Sequence, residues 1–387
     1  MNKMISYGHQ YIDRDDIDAV IKVLKSDYLT QGPSIPEFED MLCRYTGARY
    51  AVAVSSGTAA LHISCLAAGL RSGDEAITSP VTFTASANCV LYCGAIPIFA
   101  DIQSDTVNID PEEIEKKISR STKVLIPVHF AGHPCDMKEI NKIARKKKLL
   151  VIEDAAHAIG SVYRGSRIGS CKYSDMTIFS FHPVKTITTG EGGAVLTNRR
   201  DLYEKLLMLR NHGITKDKSH FLSRGFHSAG SWYYEMQCLG FNYRITDIQC
   251  ALGISQLKKL DKFLKRRREV ASLYTKKLST IDEIILPAKR DYAASAWHIY
   301  CITVKKASER KRIFEELQIS GIGVQVHYIP VYLHPYYRGK FKYDPGLCPM
   351  AEDYYSKAIT LPLYPSMTRK QVNKVINVVK SVFRKTR

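Results

Sequence analysis

The sequence predicts an α/β fold, with a large domain on a mainly parallel sheet and a smaller C-terminal α+β domain. Between residues 50 and 200, the short apolar runs "YAVAVSS", "DEAITSP", "IPIFADI", "KVLIPVHF", "KLLVIEDAA", "DMTIFSF" and "GAVLTN" alternate with stretches of helical spacing. The runs are continuously rather than alternately apolar, which marks strands covered on both faces by crossover helices. Past residue 245 the texture changes to one long helical stretch, "ITDIQCALGISQLKKLDKFLKRRREVASLYTKKL". Shorter elements then follow, separated by "LPAKRD", "HYIPVYLHPYY" and "LPLYP". Residues 1–250 are therefore expected to form the large domain and residues 251–387 the small one, joined by the long helix.

Composition narrows the class. The 387 residues are 45% hydrophobic and 24% charged, as in an ordinary globular chain, and the length suits one large and one smaller core. A net charge of +18 favours anionic partners. The densest basic runs, "ARKKK" at 144–148 and "KRRRE" at 265–269, lie in helical stretches and read as solvated faces. With no zinc finger, no RRM signature and no aromatic-basic interleaving, a dedicated nucleic-acid binder is not expected. No apolar run approaches a membrane span. The ten cysteines lack paired spacing and the opening "MNKMISYGHQYIDRDD" is polar, so reduced thiols in a cytoplasmic protein are expected. Cys89 and Cys93 have no matching ligands elsewhere and read as core thiols, so no metal site is expected.

In a parallel sheet the strand C-terminal ends face the binding crevice, so the residues just past each run are the informative ones. After the first run, Ser55, Ser56, Gly57 and Thr58 precede the helix "TAALHISCLAAGL", which places Ala59, Ala60, Ile63, Leu66, Ala67 and Leu70 on one stripe. Hydroxyls, a glycine and a helix N-terminus suit a phosphate, although serine and threonine also cap helices that bind nothing. After "LLVIE" come Asp154 and, three residues on, His157. This aspartate either caps the next helix or pairs with a protonated ring nitrogen, a charge-assisted bond of roughly 1.5–3 kcal/mol. After "DMTIFSF", Ser180 lies on the strand and Lys185 just past it, 31 positions beyond Asp154, enough for the chain to return to the same sheet edge. A loop lysine is ordinarily solvated. One crevice holding a phosphate site, a ring-nitrogen partner and a lysine nucleophile has the parts that pyridoxal 5'-phosphate (PLP) requires.

The chain resembles the fold-type I PLP enzymes, with their aspartate-aminotransferase-like fold, and within them the DegT-type nucleotide-sugar aminotransferases. "YLTQGP", "SSGTAAL", "SPVTFTASAN", "EDAAHAIGS", "FSFHPVKTITTGEGG", "RNHG", "LGFNYRITDIQCALG" and "VQVHYIPVY" carry the resemblance in family order over nearly the whole chain. It implies that Lys185 forms the Schiff base with PLP and then moves the proton, and that Asp154 holds the pyridine nitrogen protonated. His157 is implied beside the 3'-oxygen, and Phe83 stacked on the ring. Ser56, Gly57, Thr58, Ala59 and Ser180 are implied around the cofactor, with Thr58, Ala59 and Ser180 at the phosphate. Asn242 would reach the phosphate of the partner's cofactor, giving a homodimer with shared active sites.

"FHPVKTITTGEGG", "WYYEMQCLGFNYR" and "GIGVQVHYIPVY" are similar to aminotransferases of the pseudaminic acid pathway. This likeness implies transfer from L-glutamate to C4 of a UDP-linked 4-keto-6-deoxy-2-acetamido sugar. Relatives that aminate other UDP-, dTDP- or GDP-linked keto sugars give the alternative. Tyr7, Asp27, Tyr28, Leu29, Thr30, Ser56, Asn242, Arg244, Gln325, Val326, His327 and Tyr328 are the implied substrate-side residues. One branch of the family replaces the lysine by histidine and dehydrates its substrate; Lys185 argues for amino transfer, and a PLP-fold regulator would bind the cofactor without turnover. Residues 213–235 suggest a lid or an interface loop, and the role of Glu191 stays open.

Overall fold

The computed structural model describes residues 4–223 and 230–384. Helices α1 (Arg14–Leu24) and α2 (Ser34–Thr46) lead into β1 (Tyr50–Val54), α3 (Gly57–Ala67), β2 (Glu75–Thr78), α4 (Ala85–Tyr92) and β3 (Ile96–Phe99). There follow α5 (Pro111–Lys117), β4 (Thr122–Ile126), α6 (Met137–Lys147) and β5 (Leu150–Asp154). A small hairpin, β6 (Val162–Tyr163) and β7 (Ser166–Arg167), separates β5 from β8 (Met176–Ser180) and β9 (Gly193–Thr197). Each of the apolar runs supplies one strand of a seven-stranded sheet ordered β1-β9-β8-β5-β4-β2-β3. Only β9 runs against its neighbours.

Continuous apolarity has the predicted cause, because alternate residues of one strand enter cores on opposite faces of the sheet. Ala51, Ala53, Leu125, Val151 and Phe179 pack with α2 and α6, whereas Val52, Val54, Val124, Ile152 and Ile178 pack with α3 and α4. Helix α3 departs from the single stripe expected of it. Every residue from Ala59 to Cys65 is buried, because the sheet, α4 and α7 (Arg200–Arg210) enclose the helix.

Beyond α7, β10 (Ile214–Thr215) pairs with β11 (Glu235–Met236). Glu235 accepts the amides of Leu222 and Ser223 across this segment, of which residues 224–229 lie outside the described residues. The single long helix expected after residue 245 is two, α8 (Asp247–Lys258) and α9 (Leu260–Leu278). The break falls at Lys259, whose amide caps α8 and whose ammonium pairs with Asp13 and Asp16, each at 2.6 Å. The "KRRRE" run is also not wholly a solvated face. Arg267 is only 1% exposed, and its guanidinium donates to the carbonyls of Trp297, His298 and Leu363.

The end of α9 packs with α10 (Ala307–Ile319) and α13 (Arg369–Arg384) over a three-stranded sheet, ordered β12 (Ile284–Ile285), β14 (Tyr300–Val304) and β15 (Ala358–Leu361). Strand β13 (Ala293–Ala294) pairs instead with β6, and α11 (Pro335–Phe341) and α12 (Pro349–Lys357) precede β15. All ten cysteines are free thiols, and Cys89 packs against Cys65 with sulfurs 3.6 Å apart. Among the described residues no helix is long and apolar enough to cross a membrane, and no cluster of His, Cys, Asp and Glu could hold a metal.

Candidate active site

The site is built at one sheet edge. Val54, Gly193 and Ser180 are register partners across β1, β9 and β8, and Asp154 ends β5 opposite Ile178. Ser56 caps α3 with extended backbone, its Oγ accepting from Ala59 N at 3.0 Å and its carbonyl from Ala60 N at 3.0 Å. The amides of Gly57 and Thr58 are then the first-turn donors without a helical acceptor. Two glycines let these ends converge. A Cβ on Gly57 would lie 2.8 Å from Ser180 Cβ, and one on Gly193 would lie 2.5 Å from the Ser56 carbonyl oxygen.

Asp154 is 5% exposed, its Oδ2 accepting from Ser86 Oγ at 2.6 Å and its Oδ1 from Ala156 N at 3.1 Å, which leaves lone pairs on both oxygens. The aspartate thus caps the following turn and also presents a fixed carboxylate. Strand β8 ends at Ser180, three residues before Pro183. The Phe181 carbonyl accepts from both Thr188 Oγ1 and Thr189 N, so residues 181–189 close into a loop. Within it, Lys185 N donates to the His182 carbonyl at 2.9 Å, turning the side chain into a cavity of about 510 Å³. Burial lowers the Lys185 pKa to about 8, and the charge of Asp154 opposes that shift.

The cavity gathers Tyr7, Ser56, Gly57, Thr58, Phe83, Asp154, His157, Ser180, Lys185, His327 and Tyr328 from the expected set. Phe83 stands at the mouth, 61% exposed. His157 is buried, its Nε2 lies 3.3 Å from the Tyr328 hydroxyl, and burial beside Lys185 and His327 holds its pKa well below the ordinary imidazole value. His327 is anchored through Nδ1 to Thr360 Oγ1 at 2.8 Å, and burial lowers its pKa to about 4. Glu191 also lines the cavity.

The other expected residues lie elsewhere. Ala59 is buried behind the helix cap, its amide taken by Ser56. Gln325 pairs through its backbone with Thr360, and Val326 packs among apolar residues around Phe130. Asp27, Tyr28, Leu29 and Thr30 are exposed. They join the extended segment 242–246 through a Thr30–Thr246 bridge, and Asn242 in that segment is exposed. Arg244 donates to Asn211 Oδ1 at 2.6 Å and lines a separate hollow of about 960 Å³. That hollow is larger, but its Arg210 and Glu39 pair with each other at 2.6 Å, and the lysine with a lowered pKa lies in the smaller cavity. Sequence reasoning missed Ser86 and His298, both of which line the Lys185 cavity. Ser86 stands within the quoted motif "SPVTFTASAN", so the motif held a signal; His298 sat in no quoted motif.

Residues 10–380 match the DegT/DnrJ/EryC1/StrS aminotransferase family. The spore coat polysaccharide biosynthesis protein SpsC of Bacillus subtilis is 41% identical over 385 residues, covering 98% of this chain and 97% of SpsC. The UDP-4-amino-4,6-dideoxy-N-acetyl-beta-L-altrosamine transaminase of Campylobacter jejuni is 38% identical over 392 residues, with 99% of each chain covered. The structure of Helicobacter pylori PseC, an aminotransferase involved in pseudaminic acid biosynthesis, superposes with a TM-score of 0.91 at 33% identity, covering 99% of this chain and 100% of PseC. Solved structures of the same fold include PLP and PMP forms of a sugar aminotransferase, at TM-scores of 0.91 and 0.92.

Proposed function

Since the chain belongs to the DegT/DnrJ/EryC1/StrS family of PLP-dependent sugar aminotransferases, we propose that its acceptor is a UDP-linked 4-keto-6-deoxy-2-acetamido sugar, aminated at C4 from L-glutamate. The product would be of the UDP-4-amino-4,6-dideoxy-N-acetyl-beta-L-altrosamine type, used in pseudaminic acid biosynthesis. The observation that carries the chemistry is Lys185, with a pKa lowered to about 8, sharing one cavity with the fixed carboxylate of Asp154. The likeness to PseC and to the Campylobacter transaminase supports the choice of sugar.

The residues fit PLP. The Gly57 and Thr58 amides, for which the described residues provide no helical acceptor, together with the Ser180 hydroxyl, match a phosphate in charge and donor type. When bound, PLP supplies a ring that takes up negative charge developing at the substrate carbon. Asp154, oriented by Ser86, holds a proton on the ring nitrogen by charge-assisted hydrogen bonding. Lys185 is a competent nucleophile near neutral pH because its pKa lies close to the range wanted of an acid-base lysine; it also carries the proton at the reacting carbon. Phe83 would cover the ring from the mouth, and His157 would lie on the side of the 3'-oxygen. Tyr7, Ser56, His327 and Tyr328 form the substrate side within one chain.

We assign Asn242 to the active site of a second copy, in a homodimer with shared sites. Its exposure, outside the Lys185 cavity of its own chain, supports that assignment. Asp27–Thr30 and Arg244, joined to the same segment, are assigned with it to the substrate side, and Gln325 and Val326 hold His327 and Tyr328 in place. Residues 1–250 and 251–387 are taken as the large and small domains; the cluster around β14, β15, α10 and α13 supports this, although Ile5 packs with it, Ile254, Leu257, Leu260, Phe263, Leu264 and Ala296 pack with the large domain, and a further cluster joins Phe99 and Phe130 to Tyr332 and Tyr354.

The test is a panel of UDP- and dTDP-linked 4-keto-6-deoxy sugars with glutamate, with products identified by mass spectrometry and NMR. Preferred C4 amination of the UDP-linked 2-acetamido sugar is expected, and its rejection in favour of another acceptor would overturn the assignment. Amination of a different keto sugar is the second reading; SpsC, at the higher identity, is named for spore coat polysaccharide biosynthesis and not for pseudaminic acid.

A further inference from the structure

His298 is a buried ionisable group that the proposed chemistry does not use. It is 5% exposed, lines the Lys185 cavity, and its Nδ1 is sealed from solvent with no partner among the described residues. Its ring lies 4.3 Å from that of His157, tilted by 38°. The His157 Nδ1 is likewise sealed and unpartnered, whereas its Nε2 lies 3.3 Å from the Tyr328 hydroxyl. The backbone holds His298 firmly, its amide donating to the Ala131 carbonyl at 3.0 Å and its carbonyl accepting from Arg267 at 3.0 Å.

Two facts limit the state of this pair. Burial is the largest influence and disfavours a protonated ring; Lys185, His327 and Arg267, all able to carry positive charge, act the same way, while Tyr328 is bonded to His157 and the Asp154 carboxylate lines the same cavity. Both imidazoles are therefore neutral, each with one N–H and one bare nitrogen. A buried N–H without an acceptor is the rarer and costlier defect, so the sealed Nδ1 atoms are the bare ones and the protons sit on Nε2. Among the described residues, the Tyr328 oxygen is the acceptor within reach of that His157 proton.

We propose that His298 is a positioning residue: its ring packs against His157 and excludes water from Nδ1, so that His157 Nε2–H donates to Tyr328 and leaves the Tyr328 hydroxyl hydrogen to be donated into the Lys185 cavity. A ligand oxygen beside Lys185 then meets a hydrogen-bond donor whose direction is set before binding, at no cost in reorganisation. Without the His298 ring, water reaches His157 Nδ1, the other tautomer becomes available, and Tyr328 can turn its hydrogen back onto His157. This inference rests on the Lys185 cavity being the active site but not on the identity of the sugar.

The test is a double-mutant cycle between His298→Ala and Tyr328→Phe, read in the glutamate half-reaction as the visible colour of the PLP-loaded enzyme fades. His298→Ala is expected to slow this step about tenfold when Tyr328 is present and less than about twofold when it is Phe, because His298 acts through that hydroxyl. Additive losses, or an unchanged rate in His298→Ala, overturn the proposal. Ring-nitrogen NMR of the cofactor-free, histidine-labelled protein is the second arm. It should show His157 protonated on Nε2 in the wild type and a mixture of tautomers in His298→Ala; a wild-type proton on Nδ1 overturns the proposal. Should His298→Ala fail to fold, His298→Asn carries the same two expectations. If wild type does not react with glutamate at all, the donor assignment fails, and the NMR arm alone decides the role of His298.

Discussion

The Ser86 hydroxyl donates to Asp154 Oδ2 at 2.6 Å, in a position where Asp154 is 5% exposed. This bond, with the Ala156 amide on the other oxygen, fixes the carboxylate that faces the cavity. Ser86→Ala should lower kcat/KM about tenfold, since a hydrogen bond to a charged group contributes about 1.5–3 kcal/mol and water recovers part of it. Asp154→Asn removes the charge itself and should cost considerably more. Steady-state kinetics on both variants checks the order; equal losses would separate Asp154 from the ring-nitrogen role.

Lys185→Ala should abolish amino transfer and leave the purified protein without the yellow colour of bound, lysine-linked cofactor. Absorption spectra and product assays are the measurements. Wild-type turnover in this variant would overturn the mechanism.

The lowered pKa of Lys185 also predicts a pH-dependent stability in the cofactor-free protein. The unfolded lysine titrates near 10.5 and the folded one at about 8, so between those values the unfolded chain binds more protons and stability rises with pH. Below about pH 8 the full penalty applies, up to about 3 kcal/mol for a shift of this size. Lys185→Met should therefore be more stable than wild type at pH 7, with the gap closing as pH rises towards 10.5. Urea midpoints across that range check it, and a gap independent of pH would mean the amine is not desolvated.

Gly193→Ala places a Cβ 2.5 Å from the Ser56 carbonyl oxygen, a backbone atom that cannot move without disturbing the cap of α3. A loss of about 1–3 kcal/mol in stability is expected. Weaker PLP binding should accompany it, measured by titrating the cofactor-free variant. An unchanged affinity would detach the α3 N-terminus from the phosphate.

The shared-site assignment predicts complementation. Variants inactivated at Lys185 and at Asn242 should regain partial activity when their subunits are mixed, because one of the two sites in a mixed dimer has both residues intact. No recovery in mixed dimers shown to form would place Asn242 outside the partner's site.

The seven strands, their mainly parallel order and the edge that carries Ser56, Asp154, Ser180 and Lys185 were legible in the chain, because continuous apolar runs and strand ends are local patterns. The sequence by itself determined which residues stand at that edge and, through its motifs, the family. The tertiary structure decided what surrounds them. Lys185 has a pKa of about 8 only because the 181–189 loop turns it into a cavity beside Asp154, and desolvation depends on the whole enclosure rather than on neighbours in sequence. The same reason hid Arg267, a cation in a basic run that three carbonyls distant in sequence accept in the interior. It hid His298 as well, whose importance comes from a ring 141 positions earlier that packs against it at 4.3 Å. Periodicity reports which face of an element is apolar; which polar groups meet across the interior is fixed only when the elements pack.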